Sequence, residues 1–347
     1  MVDSHLPNAK ATPGWRDLPY PRTSFDQAIK LTPVDGVSGL YKAYGPRDWS
    51  LPHDNGLSLN GGYICSLLIS GSREYARATG LIALNQPDPL SMHVQFLDLV
   101  PQGPMHVRFT TLKSGSRSSV VQGEICSPKF PTTLSTAADS NSDDSRVRTT
   151  YTLAIFTMGN LSDKTGISLE LPQHTPLPSR EKDCVRWTDA FAFFVSPPTA
   201  ACRVYTPRGG PSPLWSPAVG RHKRDQWDKL DSGENFRLEH LGLLADIVAV
   251  IPLNYQPEGM KSFMKFNMPS VSLTFDFVKD PAGQTEWILN RATMNRLQNG
   301  RFDMDLLMVD EEGQLIAAIK HQSLMFERKR HLERQTVSEN KHGEARL

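Results

Sequence analysis

The chain of 347 residues lacks any apolar run of the roughly 18 residues that a membrane-spanning helix requires. Its first residues, MVDSHLPNAKATPGW, lack the apolar stretch of a secretory signal, so a soluble intracellular protein is expected. It also lacks charge of one sign. A formal net charge of +1 leaves no basic footprint for nucleic acid, whose phosphates call for a positive stripe, and small molecules become the expected partners. Cysteine is sparse: Cys65, Cys126, Cys184 and Cys202 lie far apart, with no CxxC pair and no clustering with histidine. That excludes a disulfide framework and a zinc knuckle, and reduced, mostly buried thiols are expected, with no metal and no cofactor.

What is present is ordinary globular material, 39% hydrophobic and 22% charged, in a recognisable order. Ser24 reads as the N-cap of a helix beginning at Phe25, and Leu40–Tyr44 as an aromatic-bearing strand. The stretch Asn60-Gly61-Gly62-Tyr63 then leads into apolar positions at helical spacing up to about Ala78. Strand-like runs follow at 90–100, 105–113, 118–126 and 149–158, and the Ser-, Thr- and Asp-rich segment inside 127–148 reads as a mobile hairpin insertion. From 161 to 235 prolines recur, and the segment reads as a long connection. Beyond it the order returns, with a helical pattern at 238–251 and strands at 270–278, 286–292, 301–309 and 314–325. Leu90–Leu97 and Val271–Val278 share their apolar and polar alternation. The expected organisation is an N-terminal extension (1–20), a first repeat (21–160), the proline-rich connection (161–235), a second repeat (236–327) and a polar tail (328–347).

One helix wrapped by an antiparallel sheet, made twice, is α+β architecture of the double hot-dog kind. NGGY at 60–63, the Pro87-Asp88-Pro89 lead into a strand ending Gln95-Phe96-Leu97, and the series Gly300-Arg301, Asp310-Glu311-Glu312-Gly313 and Leu315-Ile316-Ala317 resemble acyl-CoA thioesterase II and its fungal thioesterase-like relatives. The resemblance runs from about residue 24 to 326. It implies hydrolysis of an acyl thioester, on coenzyme A or another carrier, by water that a carboxylate activates.

The resemblance places that carboxylate at Asp246, in Leu244-Ala245-Asp246, the one acid within an otherwise apolar helical segment. It calls for a strand hydroxyl beside it. Matching the faces of MPSVSLTFDFV puts this at Ser270, with an extra residue in the following hairpin, whereas an ungapped match puts Val271 there. The family's glutamine falls on His321, with Gln322 next to it. Either an imidazole replaces the amide, or a bulge at Lys320-His321 turns Gln322 inward. Gly61, Gly62 and Tyr63 are the substrate-binding candidates: the glycine pair at a helix N-terminus either admits a substrate oxygen to backbone N–H groups or packs the helix tightly.

Two other classes stay open. A dehydratase, isomerase or cyclase of a polyketide-type intermediate also uses Asp and His in a double hot-dog. Its HxxxGxxxxP pattern fails at His53, where Gly56 comes one position early. A degenerate, non-catalytic acyl-binding protein is the other. The expected partners are an acyl thioester, a second copy of the chain and, through Ala345-Arg346-Leu347, a peroxisomal import receptor, since that ending resembles the small-basic-leucine peroxisomal address. The expected location is peroxisomal or cytoplasmic.

Overall fold

The computed structural model describes residues 23–53, 56–128, 149–169, 176–188, 196–208, 220–248 and 250–328. The N-terminal extension, most of the 127–148 insertion and all of the polar tail after Arg328, with Ala345-Arg346-Leu347, lie outside the described residues. The long strands, in chain order, are β1 (Leu40–Gly45), β2 (Asp88–Phe96), β3 (Gly103–Lys113), β4 (Ser119–Cys126), β5 (Thr150–Gly159), β6 (Cys202–Pro207), β7 (Lys223–Leu230), β8 (Ser270–Phe277), β9 (Ile288–Gln298), β10 (Arg301–Val309) and β11 (Leu315–Leu324). They join one 13-stranded antiparallel sheet in the order β1-β3-β4-β5-β2-β8-β11-β10-β9-β7-β6, with the short pieces Thr32–Pro33 and Cys184–Arg186 at its two edges. Two helices, α1 (Gly61–Ala78) and α2 (His240–Asp246), share the core with one face of that sheet.

The sheet is two copies of one order. β1-β3-β4-β5-β2 is mirrored by β7-β9-β10-β11-β8, and the copies meet where β2 pairs with β8, His93 opposite Thr274. The two segments whose alternation matches in the sequence are therefore the strands of the seam. Alternation sets which face each turns inward: Met92 and Val94 on β2, and Leu273, Phe275 and Phe277 on β8, are buried.

Two expectations need correction. The connection at 161–235 is not outside the second repeat, because β6 and β7 come from it and β7 pairs with β9 over six residue pairs. β7 reads KRDQWDKL, and with a buried face made of Arg224, Gln226 and Asp228 it carries no apolar alternation to detect. The helical pattern at 238–251 yields helix only at His240–Asp246, and the chain turns into a short 3-10 segment at Ile251–Tyr255. Ile247, Val248, Val250 and Ile251 are β-branched and poor helix formers, and Pro252 disfavours helical backbone at the residue before it.

Candidate active site

α1 begins at Asn60, whose side-chain oxygen accepts the backbone N–H of Tyr63 at 3.0 Å and caps the helix. The same side chain reaches across to the second repeat, its Nδ2 donating to Asp246 Oδ2 at 2.6 Å. The Gly62 N–H donates to that oxygen as well, at 3.1 Å. The first turn of α1 thus holds a carboxylate from the last turn of α2, where unpaired N–H groups and the helix dipole favour negative charge. The two readings of the glycine pair merge here. The oxygen that Gly62 holds is the protein's own, and a side chain at Gly62 would come within 2.8 Å of Gly242 O and 2.9 Å of Asp246 Cβ. Gly61 lines the neighbouring cavity, and no described residue accepts a hydrogen bond from its N–H. Tyr63 does not face that cavity. It is wholly buried, and its hydroxyl donates to Ala28 O at 2.7 Å, which corrects the expectation that it meets substrate.

The other oxygen of Asp246 faces β8. Ser270 Oγ donates to Oδ1 at 3.1 Å. Ser270 pairs with Ser323 on β11, whereas the next pair is Ser272 with Gln322, so Val271 is an extra residue in a bulge. Plain alternation would set Ser270 on the outer face with Thr274 and Asp276; the bulge inverts it and turns the hydroxyl inward. The extra residue therefore sits within β8, not in the following hairpin and not at Lys320-His321.

β11 alternates without interruption there. Ile319, His321 and Ser323 point inward and are buried, while Gln322 is exposed, its Oε1 accepting only a long 3.5 Å contact from Ser272 Oγ. Gln322 is thus corrected: it lies on the face away from Asp246, and His321 is the inward residue. His321 Nε2 is 2.9 Å from Ser270 Oγ, 2.9 Å from Ser323 Oγ and 3.8 Å from Asp246 Oδ1. Burial pushes the imidazole below its usual pKa, and the nearby Asp246 only partly opposes this, so the ring is neutral. Because a carboxylate only accepts, the single Ser270 proton points to Asp246, and the Ser270–His321 bond takes its proton from Nε2.

Asn60 and Ser323 belong to this network, and sequence reasoning assigned neither a role. Asn60 stands at the head of the NGGY stretch, and its position as N-cap was the available signal. Asp246, Asn60, Gly61 and Ser270 open onto a cavity of about 330 Å³ whose other walls include Ile64, Phe96, Val100, Ile247, Val250 and Met260. Such a space, apolar with a few convergent polar groups at one side, suits an acyl chain with a polar head. Among the described residues no group of three or more His, Cys, Asp or Glu side chains is placed to hold a metal ion, and all four cysteines are buried and free.

Comparison with known proteins supplies the family. The acyl-CoA thioesterase N-terminal domain matches residues 49–152 and the acyl-CoA thioesterase C-terminal domain residues 171–325. This chain belongs to the acyl-CoA thioesterase family of double hot-dog proteins. The thioesterase-like protein TwmA of Talaromyces wortmannii is 25% identical to this family member, over 77% of this chain and 83% of TwmA. Two solved structures share the fold. A hot-dog protein of unknown function from Alicyclobacillus acidocaldarius superposes with a TM-score of 0.66 at 15% identity, covering 88% of this chain and 99% of its own. The acyl-CoA thioesterase II TesB2 of Mycobacterium marinum does so with a TM-score of 0.56 at 13% identity, covering 88% and 98%. The second domain match begins before β6 and β7, in keeping with their place in the second half of the sheet.

Proposed function

We propose that this chain hydrolyses an acyl thioester with Asp246 as general base. The observation that carries the reading is the unequal use of the two Asp246 oxygens. Oδ2 takes two donors, Asn60 and Gly62, whereas among the described residues Oδ1 takes only Ser270, which leaves it a lone pair for a further donor, and both Asp246 and Ser270 line the cavity. A water hydrogen-bonded to Oδ1 and to Ser270 Oγ stands where its oxygen can attack a thioester carbonyl at the cavity mouth. As the C–O bond forms, the proton passes to Asp246, and the Gly61 N–H at the start of α1 receives the developing oxyanion. Collapse of the tetrahedral intermediate breaks the C–S bond, and the thiolate leaves with the proton that Asp246 has taken. The carboxylate is restored with no covalent enzyme intermediate. His321 touches neither water nor substrate in this scheme; it holds Ser270 in the rotamer that serves Asp246.

The test is thiol release from acyl-CoA esters of increasing chain length by the full chain and by Asp246→Asn. The substitution preserves shape and removes the base, and a loss of roughly 100-fold or more in turnover is expected with little change in thermal stability. Parent-rate hydrolysis by the variant would make Asp246 structural and end this mechanism.

A further inference from the structure

From Ser270 the cavity wall continues along a two-stranded ribbon that the proposed chemistry does not use. Ser270 pairs with Ser323, Leu324 donates its N–H to Pro269 O, Asn267 pairs with Phe326, and Arg328 donates its N–H to Lys265 O, all in one antiparallel register. Arg328 is therefore five residues along the ribbon from Ser323, a span of about 17 Å at ordinary strand rise. Phe266, Asn267, Met268 and Pro269 line the cavity without interruption from Ser270 outward, and Arg328 lines it as well.

Arg328 is the one lysine or arginine among the described residues that line this cavity. Neutral acceptors hold its guanidinium: Nε donates to Asn267 Oδ1 at 2.9 Å and Nη2 to Pro52 O at 3.2 Å. Among the described residues no carboxylate pairs with it, and both N–H groups of Nη1 and one of Nη2 have no acceptor. A guanidinium fixed at two of its nitrogens, with the third bare, is pre-organised to meet two oxygens of an anion. Its place in the cavity says which end of a substrate that anion belongs to. Ile64, Val100 and Ile247 wall the interior and are buried, whereas Arg328 is partly exposed, on the side where a carrier must leave for solvent.

We propose that Arg328 binds the phosphate that terminates the pantetheine arm in coenzyme A and in carrier proteins alike. The direction of the arm rests on the hydrolase reading, which sets the thioester at Asp246; the binding does not require turnover. Extended, the arm measures roughly 16 Å from sulfur to phosphorus, which matches the run of the ribbon. It lies along Phe266–Pro269, and its phosphate takes the free Nη1 and Nη2 donors.

The experiment titrates the full chain calorimetrically with thioethers that cannot be hydrolysed: S-octyl-pantetheine, S-octyl-phosphopantetheine, S-octyl-CoA and an acyl carrier protein whose arm is S-octylated. Thiol release is measured on the corresponding octanoyl thioesters. S-octyl-phosphopantetheine should bind at least about tenfold tighter than S-octyl-pantetheine, the size expected of hydrogen bonds to a charged group. Arg328→Gln should bring that ratio close to one, and its cost in turnover should fall on KM more than on kcat. High salt should shrink the parent's ratio without any variant, because a contact at a partly exposed rim is screened. S-octyl-CoA and the S-octylated carrier protein distinguish the two sources, the tighter, Arg328-dependent binder being the one that brings the arm in. Equal binding of the phosphorylated and unphosphorylated arms overturns the proposal, as does a preference that both Arg328→Gln and high salt leave intact. A preference shown by S-octyl-CoA and absent from S-octyl-phosphopantetheine overturns it too, by placing the anion site beyond the arm. A chain that hydrolyses none of the thioesters yet keeps the preference among thioethers sinks the hydrolase reading and leaves this site standing.

Discussion

At the scale of single residues, the site turns on what can sit behind Ser270. An imidazole and an amide both offer an N–H to its hydroxyl oxygen, but only the imidazole can take up or release a proton near neutral pH. On the proposed mechanism the N–H is what matters, so His321→Gln should retain hydrolysis within about tenfold of the parent and abolish any dehydration or isomerisation that depends on the ring. Thiol release and product analysis on one preparation check both. Complete loss of hydrolysis would show that the imidazole itself takes part. Gln322→Ala is the matched control. Its side chain is exposed on the other face of β11, and no change is expected.

At the scale of elements, the geometry of the candidate site depends on how closely two helices approach. α1 and α2 meet where neither has bulk. A side chain at Gly242 would lie 2.4 Å from the backbone nitrogen of Ser66, too close for any contact and with no flexible atom to yield. Gly242→Ala should therefore destabilise the fold by about 1–3 kcal/mol, the usual range for overpacking. Asp246 is one turn further along the same helix, so the variant should also lose activity beyond the loss of folded protein. Urea unfolding and turnover per folded molecule separate the two effects. Gly80→Ala, with open space around the new atom, should be close to neutral in both. A Gly242→Ala protein with parent stability would mean that the helices are not held by this contact.

At the scale of the molecule, the halves are joined by the β2–β8 seam, by the Asn60–Asp246 bond and by a buried histidine. His240, on α2, stacks on Phe25 at 4.3 Å between ring centroids, and its Nδ1 accepts the backbone N–H of Arg237 at 3.0 Å. Burial, with a smaller contribution from the Arg237 charge, lowers its pKa to about 3. An unfolded histidine titrates near 6.5, so between about pH 6.5 and 3 the unfolded chain binds the proton that the folded chain refuses, and stability falls as pH falls. This group alone should cost about 1.4 kcal/mol on going from pH 7.5 to 5.5. His240→Asn keeps an acceptor for Arg237 and removes the titration. Denaturant unfolding at the two pH values should show the parent losing more than the variant by about that amount, whatever the other groups contribute. Equal losses would place His240 in contact with solvent.

The sequence by itself determined the order of elements and the face each turns inward. Period-two alternation on β2, β8 and β11 and helical spacing after Asn60 are local consequences of burial, and they survive in any protein that buries one face. Through the family resemblance it also placed Asp246, Ser270 and His321 as candidates, because an acid within LLADIV and a repeated strand pattern can be aligned by eye. The tertiary structure decided what periodicity does not encode. Whether Ser270 or Val271 faces inward depends on a bulge that a one-residue count cannot locate. That Asn60 holds Asp246 is a contact across 186 positions of chain, which no local pattern reports. The polar strand β7 is hidden for the opposite reason: its inner face is buried but charged, so the rule that equates burial with apolar side chains fails there, and only the sheet pairing of β7 with β9 reveals that Arg224 and Asp228 lie inside.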